Sequence, residues 1–326
     1  MVATSCATPR TANLTRFEYQ QPRMGVPFRM VLYAPDQPTA HAAAEAAFAR
    51  ISQLNDIMSD YDPDSELSRL SRTSGKGRAV KLSDDLWRVL SQAQALSART
   101  QGAFDVTVGP VVNLWRKTRR DRQMPDPTRL AKARTAVGYQ HVRLDAVQHT
   151  ARLEVPDMRL DLGGIAKGYA VDEALRVLRQ HGIRRALVTG AGDMAAGDPP
   201  PGKRGWRIEL APLDDTNAPP ARYVWLNRMA LATSGDLFQH VEIAGQRYSH
   251  IVDPRTGIGL TDHSLVTIIA QDCATADGLA TAVSVLGPVK GLSLVQQTHM
   301  AAARVVRRPD REVEVRESPG FARAYD

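Results

Sequence analysis

LDLGGIAKGYAVDEALRVL, residues 160–178, is the stretch from which the rest of the chain is best read. A short apolar segment over 158–162, interrupted by Arg159 and Asp161, gives way at Gly163-Gly164 to helical periodicity. Ala166, Ala170, Ala174 and Val177 recur at spacings of three and four, and Leu175 and Leu178 widen the same stripe. Gly182 stops the helix, and 185–190 reads as a strand. Paired glycines at a strand-to-helix entry let a backbone pass close to a ligand, and the first-turn N–H groups there favour an anion. Lys167 adds a cation in the same turn. Gly163-Gly164 could equally serve tight packing alone.

Working outward, residues 1–16 form a polar lead-in, and 28–33 is a strand by composition. The alanine-rich stretch from His41 to Met58 is helical, with Phe48, Ile51 and Leu54 on one stripe. In SDYDPDSELSRL, from Ser59, Pro63 bars a continuous helix while Ser65 caps a short one over 66–70. Ser83 caps a second long helix that ends before Gly102. AFDVTVGPVVNLW, 103–115, reads as a strand-like start with a turn at Gly109-Pro110, and the basic run 116–122 as a solvated face. HVRL and ARLEV alternate as a hairpin. The proline-rich region 199–220 is a surface excursion around one strand, 206–210. Further strands are expected at 222–226, 230–233, 241–243, 248–252 and 266–270, with terminal ones at 303–306 and 312–315. Between these last groups lie a helix over 274–286, closed by Gly287-Pro288, and another over 289–297. There is no repeat of solenoid period and no clean linker. Strands in runs with helices between the groups favour α+β.

A chain of 326 residues holds one large domain or two ordinary ones. With 43% hydrophobic and 24% charged residues, wholesale disorder is excluded. The formal charge of +7 and pI near 9.6 favour anionic ligands. The basic residues are dispersed and lack aromatic interleaving, which argues against nucleic acid as the partner. Two cysteines, Cys6 and Cys273, allow no disulfide framework. No apolar run is expected to approach membrane-spanning length. The first residues show no apolar core of a signal peptide, and Ala3 stands where a lipid-modified Cys6 would need leucine.

Four clusters carry chemistry. Asp277 and Thr281, four apart, present a carboxylate and a hydroxyl on one helical face, an oxygen pair suited to Mg²⁺. An Asp offsetting a helix dipole beside a Thr on an apolar cluster would look the same. YSHIVDPRTG places His250 as a candidate general base and Arg255 as a phosphate brace near a strand end; a structural histidine is the alternative. In LATSGD, Thr233 and Ser234 offer hydrogen bonds. Tyr61 either lays its ring on a planar ligand or packs its own turn.

Taken in order, SDYDPDSELSRL, GAFDVTVGPVVNLW, LDLGGIAKGYAVDEAL, ATSGD, YSHIVDPRTG and ADGLATAVSVLG strongly resemble the ApbE family of FAD:protein FMN transferases. The resemblance covers about 22–306, leaving 1–21 as a lead-in and 307–326 as a C-terminal extension. It implies an α+β fold of T-fold-like antiparallel sheets with flanking helices, two lobes around a FAD cleft. It also implies Mg²⁺-dependent transfer of FMN from FAD to a threonine of an acceptor flavoprotein, a redox membrane-complex subunit or an FMN-binding domain, with release of AMP. A FAD pyrophosphatase giving FMN and AMP, or a non-catalytic FAD-binding protein, are the alternatives. By resemblance, Tyr61 is the flavin-site aromatic, and Ala103, Phe104 and Asp105 line the FAD. Gly163, Lys167, Thr233 and Arg255 join them as cofactor contacts. The carbonyl of Ala166 with Asp277 and Thr281 is the metal site, and His250 the base. A periplasmic or cell-envelope location is implied as well. Ala191-Gly192-Asp193 departs from the family's usual GGD, which would strain Ala191 if the turn needs positive φ. No acceptor motif of the family's kind occurs in this chain, so self-flavinylation is not suggested.

Overall fold

The computed structural model describes residues 14–213, 222–236, 239–309 and 312–324. The readings of Cys6, of most of the N-terminal lead-in and of 214–220 lie outside these residues. The chain opens with β1 (Thr15–Arg23) and β2 (Val26–Ala34), then α1 (Gln37–Met58), α2 (Glu66–Ser71), β3 (Val80–Lys81), α3 (Asp84–Arg99), α4 (Gly109–Asp121) and α5 (Pro127–Thr135). Next come the hairpin β4 (Val142–Asp145) and β5 (Thr150–Leu153), α6 (Ala166–Gln180), β6 (Ala186–Gly190), β7 (Asp193–Ala196), β8 (Trp206–Glu209) and β9 (Tyr223–Leu226). The chain continues through β10 (Ala230–Gly235), β11 (His240–Ile243), β12 (Gln246–Ser249), β13 (Val252–Asp253), β14 (Ile258–Gly259) and β15 (Ser264–Ala270). It closes with α7 (Cys273–Gln296), β16 (Ala302–Arg307) and β17 (Glu314–Glu317).

Eight strands form one antiparallel sheet in the order β1-β2-β6-β7-β10-β15-β16-β17, and smaller sheets flank it. Residues 15–21, expected as lead-in, thus supply an edge strand, and 314–317 the other edge. Strand alternation divides the core in two. Phe28, Met30 and Leu32 point to one face, where Val188, Ala232, Val266 and Ile268 join them under α1, α6 and α7. Val31, Leu231 and Ile269 point to the other, covered by Trp206, Ile208, Val224 and Phe321. Both faces are therefore sealed, and the sheet is a three-layer centre rather than a wall.

Three expectations need correction. Residues 103–108 form turns rather than a strand, and Gly109-Pro110 opens α4, with Pro110 at the first helical positions where its missing N–H costs nothing. The expected strand 248–252 breaks at His250, between β12 and β13. The two helices expected over 274–286 and 289–297 are present, run together as α7 across a kink at Gly287, where φ is 72° and ψ 175°. Contrary to the expectation above, its mean hydropathy of 1.5 and its length would let it cross a membrane, yet more than half of that stretch is buried within the fold.

The junction of α6 with α7 positions the site. α6 has no capping side chain of its own at Ile165. Its Gly168 N–H donates instead to Asp277 Oδ2 of α7, at 3.2 Å. In return Asp172 of α6 accepts from the N–H groups of Cys273 and Ala274 at the start of α7, at 2.8–2.9 Å. Burial comes first in pushing the Asp172 carboxyl up, to about 7. Each helix thus satisfies orphan N–H groups of the other. The backbones can come this close because Gly168 has no side chain. A Cβ there would lie 2.4 Å from the Cys273 carbonyl oxygen. Gly168→Ala should therefore force the helices apart and cost about 2 kcal/mol or more, read as a lowered urea midpoint at unchanged slope. A midpoint equal to that of the parent would show that the contact relaxes freely.

Candidate active site

A cavity of about 600 Å³ is lined by the turn after α1, the 103–108 turns with α4, the entry to α6, the β6–β7 turn with β10, residues 209–212 at the end of β8, Leu265 of β15, the segment around His250, and α7. Of the residues singled out in the sequence, Tyr61, Ala103, Phe104, Asp105, Gly163, Lys167, Thr233, His250, Asp277 and Thr281 all line it. Arg255 does not. Its guanidinium closes on Asp253 at 2.8–2.9 Å, a bond within its own turn. Ala166 is buried as the first residue of α6 and is likewise absent from the lining.

At the α6–α7 corner, Lys167 Nζ lies 3.2 Å from Asp193 Oδ2 and 3.6 Å from Asp277 Oδ2, and donates to the Gly163 carbonyl at 3.1 Å. Burial pulls the Lys167 pKa down, but Asp277 and Asp193 overcome it and hold the amine above its ordinary value. Burial raises the Asp193 carboxyl to about 7, with the charge of Asp277 adding to it. Asp277 is raised by burial too, against the pull of Lys167 and the Gly168 N–H. One ammonium faces two carboxylates, and Asp193 Oδ2 is buried without a hydrogen bond of acceptable direction despite its nearness to Nζ. Thr281 projects beside them. A Cβ on Gly164 would meet its Oγ1 at 2.8 Å, so this glycine serves close packing, as one of the two readings of Gly163-Gly164 expected. Among the described residues no cluster of three His, Cys, Asp or Glu side chains exists that could hold a metal. Two carboxylates and a hydroxyl, one carboxylate oxygen being unsatisfied, still fit a hard divalent ion that keeps water and phosphate in its shell.

His250 is set by the break between its strands. Its backbone N–H and its Nδ1 both meet the Gln239 carbonyl, at 2.9 and 3.0 Å. A carbonyl only accepts, so Nδ1 carries the proton and Nε2 presents a lone pair. Burial, then the charges of Arg119 and Lys167, lower its pKa to about 4 against the Gln239 bond.

On the opposite functional side, Tyr61 is 75% exposed, with Arg116 4.2 Å from its ring centre. Asp105 is spent locking its own turn, accepting from Thr107 N and Oγ1 and from Tyr139 N at 2.7–2.8 Å. The basic run 116–122 is not a uniform solvated face: Arg116 and Arg119 line the cavity. Arg116 pairs with Asp60 and, at 2.9 Å, with Asp161, whose other oxygen accepts from Gly163 N–H. Sequence reasoning missed Arg116, Arg119 and Asp161. The available signal was the three-residue spacing of the two arginines beside the buried Trp115, which puts them on one helical face. At the β6–β7 turn Ala191 has φ of 56°, a left-handed geometry that costs an alanine about 1 kcal/mol.

An antiparallel α+β fold whose cavity brings together an aromatic, basic side chains and an oxygen-rich corner defines a class of proteins with a pocket suited to anionic ring ligands. Within that class the chain belongs to the ApbE family, whose model matches residues 24–305. It is 34% identical to a FAD:protein FMN transferase of Haemophilus influenzae over 82% of this chain and 80% of that one. It is 30% identical to the transferase of that name from Klebsiella pneumoniae, over 93% and 88%. The solved flavinyl transferase ApbE of Pseudomonas stutzeri, in its apo form, superposes with a TM-score of 0.84 at 30% identity, over 96% of this chain and 97% of that one.

The electrostatics of His250 can be checked without any ligand. In the metal-free protein its ¹⁵N shifts should report a neutral, Nδ1-protonated ring down to about pH 5, with protonation only near pH 4. A ring that becomes charged between pH 6 and 7 would contradict the burial and cation effects described.

Proposed function

We propose that the cavity binds FAD and that the protein transfers its FMN moiety to a threonine hydroxyl of an acceptor flavoprotein, releasing AMP, with Mg²⁺ as cofactor. The observation that carries this reading is the convergence of Tyr61, Lys167, His250, Asp277 and Thr281, spread over most of the chain, on one cavity. Asp277, Thr281 and the Ala166 carbonyl would hold Mg²⁺, with Asp193 as the neighbouring charge. The ion would neutralise diphosphate oxygens and ease departure of the AMP side. Tyr61 and the turn 103–105 receive the isoalloxazine. Lys167, fixed by the Gly163 carbonyl and two carboxylates, keeps a positive charge beside the diphosphate.

His250 Nε2 takes the threonine proton as Oγ attacks the FMN-side phosphorus. The bond from that phosphorus to the bridging oxygen breaks, and AMP leaves with the bridging oxygen and its electron pair. A pKa near 4 makes His250 a weak base in the empty cavity. Phosphate charge arriving with the ligand raises it, so the base strengthens when its substrate is present.

The test is incubation with FAD, Mg²⁺ and an acceptor domain, read by mass for covalent FMN. Wild type should modify the acceptor threonine. Asp277→Asn, which keeps an oxygen for the Gly168 N–H, should abolish transfer with little loss of thermal stability. His250→Ala should lower transfer by about 10²–10⁴-fold while FAD affinity changes far less. FMN and AMP released without acceptor modification would make the protein a FAD pyrophosphatase, and FAD bound without turnover a carrier.

A further inference from the structure

Three cationic side chains line the cavity among the described residues, and two of them are already committed. Arg116 is held by Asp60 and Asp161. Lys167 is held by Asp193, Asp277 and the Gly163 carbonyl. Arg119 lines the same cavity from α4, three residues after Arg116 and hence on the same helical face. It is half-buried, and no hydrogen bond or ion pair joins it to any described residue. Its exposed neighbours on the helix are not left this way: Lys117 and Arg120 both reach Asp121.

A guanidinium cannot shed its proton to escape partial burial, so a counter-ion from outside the described residues is favoured. Five carboxylates also line the cavity, yet none of them pairs with Arg119. Its charge bears both on Tyr61 and, ahead of Lys167, on His250. Arg116, one turn earlier on the same face of α4, lies 4.2 Å from the Tyr61 ring centre, and His250 lines the same cavity, so the α4 wall borders both the ring-binding group and the group that activates the acceptor. In a dinucleotide, the part joining those two places is the diphosphate. Guanidinium matches phosphate oxygens in a bidentate fork.

We propose that Arg119 is a substrate-binding residue that grips the diphosphate of the dinucleotide from the α4 wall, while the α6–α7 corner holds it from the other functional end. This rests on the reading of the cavity as a FAD site. A carboxylate of the acceptor protein is the competing partner. It is disfavoured because it would have to reach past the mouth of a cavity already rich in carboxylates.

The experiment compares the full-length protein with Arg119→Gln and Arg119→Lys in Mg²⁺, titrating each with FAD and with riboflavin, which lacks phosphate. Arg119→Gln should weaken FAD binding about 10- to 100-fold, the loss expected of one charge-assisted contact, and leave riboflavin binding unchanged. Arg119→Lys should recover part of the FAD affinity. Melting temperatures should stay together, because no described residue pairs with the arginine. The proposal is overturned if FAD binding is unchanged in Arg119→Gln, including the case in which only the KM for the acceptor rises. It is also overturned if riboflavin and FAD affinities fall together, since the α4 wall would then be disturbed as a whole. Failure of the wild type to bind FAD would instead remove the reading of the cavity itself.

Discussion

Reciprocal capping between α6 and α7 is the constraint on which the rest of the site depends. Two helix N-termini, each with orphan N–H groups, are brought together at a glycine, and each borrows a carboxylate from the other. Asp277 is therefore fixed by a structural bond before any ligand arrives. Lys167 Nζ approaches the same Oδ2 at 3.6 Å, and Asp277 lines the cavity. Helix dipoles add to the arrangement, because both positive ends point at the buried acids. A corner made this way is preorganised at the cost of placing two carboxylates near one amine, an imbalance that a divalent ion bound as proposed would relieve.

Electrostatics then grade the cavity from end to end. The α6–α7 corner sets two buried carboxylates against one ammonium, and burial first, then the mutual charge, raises the Asp193 carboxyl. The α4 wall has an excess, since no described residue pairs with Arg119 while Arg116 is balanced by two acids. His250 sits under the influence of both and is held neutral. An anionic ligand therefore changes the state of the wall that receives it, and the pKa values of the empty protein describe a resting condition rather than a working one.

Much of this was legible in the sequence. Helix stripes such as Phe48, Ile51 and Leu54 are core residues, and Ser65 and Ser83 cap the helices they were expected to cap. Local signals of that kind need only neighbouring residues to be read. The 103–108 segment misleads because its alternating apolar residues mimic a strand, while Asp105 ties it into turns through Thr107 and the distant Tyr139. The break at His250 is equally hidden, since a carbonyl from 239 creates it. Arg119 escapes notice because a basic run reads alike whether one member faces a cavity or all face water. Asp193 was seen only as part of an altered turn, and its pairing with Lys167 is a product of topology. What sequence conveys poorly here is which partner, far along the chain, completes a local group.

The order of the large sheet has one further consequence, for the two ends of the chain. β1 and β17 occupy opposite edges, with six strands between them. At about 4.8 Å per strand the seven intervals separate those edges by roughly 34 Å. A connection joining the start of β1 directly to β17 would have to bridge that width, on the order of ten extended residues at least.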